Sequence, residues 1–160
     1  MKDAKEFYGF TERKLKGNIA ETIVEHMLEY SGYKVFRFGY ERTLEEVKNA
    51  KMSENYEKKR ITTMPDFIVI GNDGYTSFLE VKYRKKGLTE WDKNKIEDLG
   101  KNWPDAFLII VSLNGFKINR VKHLLKTGVL YDLEKFNLIK VDRELIRRYK
   151  SLVFKYYKDK

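Results

Sequence analysis

Apolar residues recur at helical spacing in two parts of the chain, one near its beginning and one at its end. The first part predicts a helix from about Thr11 or Leu15 to Tyr30, preceded by a polar lead-in over residues 1–14 and ended by Gly32. The second part predicts a terminal helix that Asp142 caps. The residues expected to face the core are Ala20, Ile23, Val24, Met27 and Leu28 in the first helix, and Leu145, Ile146, Tyr149, Leu152, Val153 and Tyr156 in the last.

Shorter apolar runs predict the strands of a sheet. The run 106–111 is almost continuously apolar, which is typical of a central strand buried on both faces. Between the strands, Thr89 and Asp92 suit a capping box that opens a second helix. The other strands are expected at 33–38, 67–70, 76–79, 116–120 as an edge strand, and 138–141, with a short helix at 121–126.

The composition limits the chemistry available to the chain. A length of 160 residues favours one domain with a real core. There are no cysteines, which excludes disulfides, thiolate catalysis and cysteine-based metal sites. The two histidines, His26 and His123, are interpreted as structural or surface residues. Any metal site must therefore use carboxylates and carbonyls, the ligands that suit Mg²⁺ or Mn²⁺.

The charge of the chain points to a polyanionic partner. The net charge is +9 and the isoelectric point is about 9.5, a balance that favours nucleic acid. No apolar run is long enough to span a membrane, and the charged N-terminus does not resemble a signal peptide. We therefore expect a cytoplasmic protein, or a viral protein acting in the host cytoplasm. The absence of glutamine beside abundant Lys and Glu favours a thermophilic source.

The stretch from Met64 to Lys86 predicts a β-hairpin that carries charged side chains. Asn72-Asp73-Gly74 suits a three-residue loop with Gly74 in the left-handed position. If Asp73 is the loop centre, Asp66 lies opposite Glu80, and two opposed carboxylates are destabilising unless a cation lies between them. Lys82 shares a face with Glu80, because side chains alternate along a strand.

Pro65-Asp66, followed fourteen residues later by Glu80-Val81-Lys82, resembles the PD-(D/E)xK nuclease superfamily. The resemblance implies that Asp66, Glu80 and the backbone carbonyl of Val81 bind Mg²⁺, with Mn²⁺ able to substitute. It also implies that Lys82 positions or activates the attacking water. The implied fold is an α/β class, three-layer α/β/α sandwich around a mixed sheet, with its core over about 15–112. A charged insertion at about 43–60 and a C-terminal helical extension at about 121–160 complete the single domain.

The first helix is similar to that of archaeal Holliday-junction resolvases, in which a metal-site Glu follows a Gly-x-x-(A)-E pattern. Gly17-Asn18-Ile19-Ala20-Glu21 fits this pattern, so Glu21 is the expected additional ligand and Glu25 the fallback. Gly17 leaves room there for a close neighbour or a phosphate backbone. Related nucleases place a Gln in the second helix, which this chain lacks; Asp92, Lys93 or Lys95 could replace it.

The leading hypothesis is a Mg²⁺-dependent DNA endonuclease, selective for branched or junction DNA and acting as a homodimer. Two alternatives stay open: a catalytically inactive nucleic-acid-binding module of the same fold, and a basic structural or interaction protein. There is no Gly-rich phosphate loop to support nucleotide hydrolysis. The residues expected to contact DNA are Arg13, Lys14, Lys16, Arg84, Lys85, Lys86 and Lys93.

Overall fold

The computed structural model describes residues 4–38 and 56–159. Most of the predicted charged insertion, up to residue 55, lies outside the described residues, and its last residues form a helix. The α-helices are α1 Ala4–Tyr30, α2 Tyr56–Thr62, α3 Glu90–Asn102, α4 Val121–Thr127 and α5 Arg143–Tyr157. The strands are β1 Lys34–Arg37, β2 Phe67–Ile70, β3 Thr76–Tyr83, β4 Phe107–Ser112, β5 Gly115–Arg120 and β6 Tyr131–Asp132.

The six strands form one mixed sheet in the order β1-β2-β3-β4-β5-β6. Neighbouring strands are antiparallel except β3 and β4, which run parallel and are connected through α3. A parallel pair needs such a crossover because the chain must return to the same end of the sheet. The chain is therefore an α/β protein, as predicted.

Helices cover both faces of the sheet. Side chains of α1 and α5 pack with Leu79, Val81, Phe107 and Ile109 on one face. Side chains of α3 and α4 pack with Leu108 and Ile110 on the other. This arrangement is consistent with the predicted sandwich, and β4 is buried on both faces as its apolar run indicates.

Two predictions about the sheet are wrong. The strand Gly115–Arg120 is not at the edge, because β6 pairs with it through Lys117↔Asp132 and Ile118↔Tyr131. Residues 138–141 form no strand. Among them, the Ile139 side chain is buried in the core. The backbone N–H of Lys140 donates to the Tyr33 hydroxyl at 2.8 Å and not to a neighbouring strand. A short apolar run can thus be buried without joining a ladder.

The first helix is longer than predicted, since it already includes residues 4–14 of the expected lead-in. Its early residues lack an apolar stripe, so periodicity did not reveal them, although Ala, Glu, Lys and Arg favour helix. Its predicted core face is buried, and its predicted end is confirmed. Gly32 has φ +90°, and Tyr33 N–H donates to the Leu28 carbonyl at 3.1 Å, which closes a Schellman motif.

The terminal helix is capped by Asp142, whose carboxylate accepts from Glu144 N–H at 2.8 Å, as predicted. Its buried stripe differs from the prediction at the far end. Tyr157 is fully buried, whereas Leu152 and Tyr156 are 38% and 47% exposed. Tyr157 belongs to the buried stripe because its ring stacks on Tyr83 of the sheet at 3.8 Å and its hydroxyl donates to the Lys16 carbonyl.

Candidate active site

The predicted hairpin is confirmed, including its register. Gly74 has φ +79°, and Gly74 N–H donates to the Gly71 carbonyl at 2.9 Å, so the loop turns where expected. The pairs Phe67↔Leu79 and Ile68↔Phe78 are those that a loop centred on Asp73 requires. Continuing this register by one residue brings Asp66 opposite Glu80.

The backbone ladder between β2 and β3 ends at Phe67, and a side chain continues it. The Asp66 carboxylate accepts a hydrogen bond from Val81 N–H at 2.7 Å. In an extended strand the N–H and C=O of one residue point to the same side. The Val81 carbonyl therefore faces the side on which Asp66 lies, while its own side chain is buried against the α1 face.

Glu80 and Lys82 form an ion pair on the opposite face of β3 from Val81. The Lys82 Nζ lies 2.8 Å from the Glu80 Oε1, and each side chain is 16% exposed. Burial lowers the pKa of Lys82, but the negative charges of Glu80 and Asp66 outweigh this effect and raise it above its ordinary value. Lys82 is therefore cationic at neutral pH.

Asp66 lies in a strongly unfavourable environment for a negative charge. Burial raises its pKa well above the ordinary value, and the charges of Glu80 and Glu21 raise it further. The Val81 hydrogen bond and the charge of Lys82 oppose this shift without cancelling it. Three carboxylates thus interact electrostatically at one end of the hairpin, and a cation there would relieve their repulsion.

Glu21 reaches this cluster from α1 and is paired with Arg37 of β1. The Arg37 guanidinium lies 3.3 Å from Glu21 and 2.6 Å from Glu25, and its carbon is 5.2 Å from the centre of the Phe67 ring. The primary candidate and its fallback therefore share one cation. A Cβ on Gly17 would meet nothing within 4 Å among the described residues, so no close protein neighbour explains this glycine.

Sequence reasoning missed Arg37. The signal was available, because alternation along β1 places Arg37 on the same face as Val35, which packs against the core beside α1. The Arg37 side chain is 39% exposed beside α1, and only the fold shows which acidic residues lie next to it.

A metal ion at this site would have to displace the basic partners that the carboxylates have in the structure. Within the described parts of the chain, no three carboxylate or imidazole groups converge closely enough to hold an ion. Glu80 is turned toward Lys82, and Glu21 toward Arg37. The two hairpin carboxylates and the backbone carbonyl supply oxygen ligands, which Mg²⁺ and Mn²⁺ prefer. These residues are therefore chemically suited to such an ion.

The basic segment after β3 is anchored by a buried carboxylate. Arg84 Nε donates to Asp92 at 2.8 Å, and Asp92 is fully buried. Asp92 also accepts from Thr89 N–H at 2.9 Å, while its own N–H donates to the Thr89 hydroxyl at 3.2 Å, which confirms the predicted capping box. Arg84 thus has a structural partner in addition to its predicted phosphate contact.

The other predicted DNA contacts lie in several places. Arg13 and Lys14 are exposed on α1, whereas Lys16 pairs with Glu12 at 2.9 Å. Lys85 and Lys86 are exposed beyond β3, and Lys93 is exposed and pairs with Glu90 at 2.6 Å. His26 and His123 are both exposed, as interpreted.

We expect Asp92→Asn to destabilise the protein by about 2–3 kcal/mol at pH 7, because it leaves Arg84 without its buried counter-charge. The Arg84 guanidinium, opposed by burial and helped by Thr89, lowers the pKa of Asp92 from 3.8 to about 2. A lowered folded-state pKa stabilises the fold above pH of about 4, and this contribution is lost as the pH falls through about 2. Urea unfolding from pH 7 down to pH 2.5 should show the difference between wild type and variant shrinking.

Asp98→Asn is the matched control, since Asp98 lies on the same helix in an exposed pair with Lys101 at 3.8 Å. It should change the free energy of unfolding by less than about 0.5 kcal/mol. A pH-independent difference for Asp92→Asn would show that the ionised carboxylate is not what stabilises this segment.

No protein-family model matches the chain, and a comparison with curated protein sequences finds no match. Among the residues described, no helix is both long and apolar enough to cross a membrane. The site is therefore described from its own geometry. A hairpin carries two carboxylates and a lysine, and a glutamate from α1 interacts with them electrostatically.

Proposed function

We propose that the chain is a Mg²⁺-dependent DNA endonuclease of the PD-(D/E)xK type, with the restriction-endonuclease-like form of the α/β sandwich. One observation carries the proposal. Asp66 replaces the next rung of the ladder by accepting from Val81 N–H, while Glu80 and Lys82 flank Val81 on the same strand. A hairpin that carries only solvated charges does not require a carboxylate to be held where burial and other carboxylates raise its pKa.

The proposed roles of the site residues follow from their chemistry. Asp66, Glu80 and the Val81 carbonyl would hold the cation, and Glu21 would complete the set after exchanging Arg37 for it. A divalent cation, when bound, polarises the scissile phosphate and lowers the pKa of a bound water. Lys82 is already cationic, so it suits orienting that water or stabilising the charge that develops on the phosphate, more than removing a proton.

DNA is the proposed substrate because the surface carries exposed cations that are suited to contact phosphates. The net charge of +9 favours a polyanion, and Arg13, Lys14 and Lys86 are exposed cations on α1 and beyond β3. Contacts of this kind read the shape and charge of the backbone, and they favour branched or junction DNA over a fixed base sequence. Binding should therefore weaken steeply as the salt concentration rises.

A panel of DNA substrates tests the function. Linear, nicked, single-stranded, flapped and four-way DNA are incubated with Mg²⁺ or Mn²⁺, and EDTA serves as the control. We expect strand cleavage with either ion, none with EDTA, and faster cleavage of branched substrates. Metal-independent binding without any product would favour the inactive DNA-binding module. Neither binding nor product would favour the basic structural or interaction protein.

The proposed assembly is a homodimer, because one such site cuts one strand and two sites are needed to cut both. A C2 interface brings two identical sites together with a single self-complementary surface. Light scattering should give twice the 19.2 kDa mass of one chain. A single-chain mass with equal cleavage of linear and four-way DNA would remove the resolvase-like assignment and leave the nuclease proposal intact.

A further inference from the structure

Trp91 is an exposed aromatic residue in the first turn of α3, next to the segment that leaves the candidate site. Its side chain is 60% exposed. The chain has two tryptophans, and the second, Trp103, lies in a different environment. The Nε1 of Trp103 donates to the Arg60 carbonyl at 3.2 Å, and its ring packs against Phe78 at 4.8 Å. Trp103 has a packing role, whereas Trp91 belongs to neither core cluster.

Two cations flank the Trp91 ring. The Arg84 guanidinium carbon lies 6.0 Å from the ring centre, and the Lys95 Nζ lies 5.6 Å from it. Arg84 is fixed in place, because buried Asp92 accepts from its Nε at 2.8 Å and the Tyr83 carbonyl accepts from its Nη1 at 2.6 Å. The result is a largely exposed indole ring beside a pre-oriented guanidinium, with the exposed Lys95 as the second cation over the ring.

The ring is close to the proposed chemistry. Arg84 follows Lys82 by two residues, which is about 7 Å along an extended chain. A DNA strand whose phosphate lies at Lys82 would therefore pass within reach of Trp91.

We propose that Trp91, Arg84 and Lys95 form a subsite that stacks one unpaired nucleobase of the substrate and contacts its flanking phosphates. This inference rests on the proposed nuclease function and names its substrate class: DNA with a single-stranded segment beside the scissile phosphate. Exposed aromatic rings beside basic groups stack bases without reading their sequence. A base within a duplex has both faces covered by its neighbours, so only an unpaired base can stack on the ring.

Fluorescence of Trp91 tests the proposal without any need for cleavage. The Trp103→Phe variant leaves Trp91 as the sole tryptophan, and EDTA prevents hydrolysis. Oligothymidylate of twelve nucleotides should quench this fluorescence saturably, whereas a blunt twelve-base-pair duplex should quench it far less. Trp91→Ala should weaken oligothymidylate binding by roughly 5- to 150-fold, and Trp91→Phe should weaken it much less. Affinity for the duplex should change less than about twofold in both variants.

Phe154→Ala is the matched control. Phe154 is also an exposed aromatic, 47% exposed with the Lys158 Nζ 5.5 Å from its ring centre, but it lies on α5 on the opposite side of the sheet. It should leave oligothymidylate affinity unchanged. Equal affinity of wild type and Trp91→Ala, or equal quenching by the oligonucleotide and the duplex, would overturn the subsite.

The outcomes separate the two proposals. Quenching and a Trp91→Ala defect without cleavage of any substrate would keep the base-stacking subsite and remove the nuclease. Cleavage of flapped DNA at equal rates by wild type and Trp91→Ala, with no quenching, would keep the nuclease and remove the subsite.

Discussion

Glu80→Ala is expected to reduce DNA cleavage by on the order of 10³-fold or more and to remove most Mn²⁺ binding. Glu80 supplies one of the two strand carboxylates of the donor set, and Asp66 alone is a poor ligand because burial favours its protonated form. DNA binding should be retained or strengthened, since a negative charge that repels phosphate is gone. Cleavage rates, Mn²⁺ titration calorimetry and DNA affinity in EDTA give the three readouts.

Glu97→Ala is the control for this variant, because Glu97 is an exposed glutamate on α3 outside the cluster. It should cleave at the wild-type rate. Wild-type cleavage by Glu80→Ala, from protein shown to be free of contaminating nuclease, would exclude the assigned active site. Loss of DNA binding together with loss of cleavage would instead indicate that Glu80 maintains the fold.

Lys82→Ala is expected to lower the maximal cleavage rate at saturating DNA by roughly 10²-fold or more, with little change in DNA affinity. A loss of this size corresponds to about 2.7 kcal/mol of transition-state stabilisation. Mn²⁺ affinity should be retained or increased, because the Lys82 ammonium no longer competes for Glu80. Single-turnover rates at saturating DNA and metal separate the rate from the affinity.

Lys155→Ala controls for the loss of one positive charge, since Lys155 is exposed on α5, across the sheet from Lys82. It should leave the single-turnover rate unchanged. A pure affinity defect in Lys82→Ala, with a wild-type rate at saturation, would move Lys82 from catalysis to contact with the DNA backbone.

The sequence by itself determined the features whose causes are local. The loop residue Gly74 and the alternation on each side of it fix the register of the hairpin, which the pairing Phe67↔Leu79 confirms. Thr89 and Asp92 are three residues apart, so their capping box can also be predicted from the sequence alone. The almost continuous apolar run at 106–111 predicted the central strand, because a strand that is covered on both faces buries every side chain.

The tertiary structure decided what depends on residues far apart in the chain. Arg37 joins Glu21 and Glu25 across sixteen and twelve positions, and no periodicity relates them. Arg84, a predicted phosphate contact, is also the partner of buried Asp92, and this pairing became visible only in the folded chain. The identity of the edge strand likewise followed from pairing, since β6 has only two residues and no sequence signal of its own. Local patterns specify which face a side chain occupies, but the charge that meets it there is set by packing.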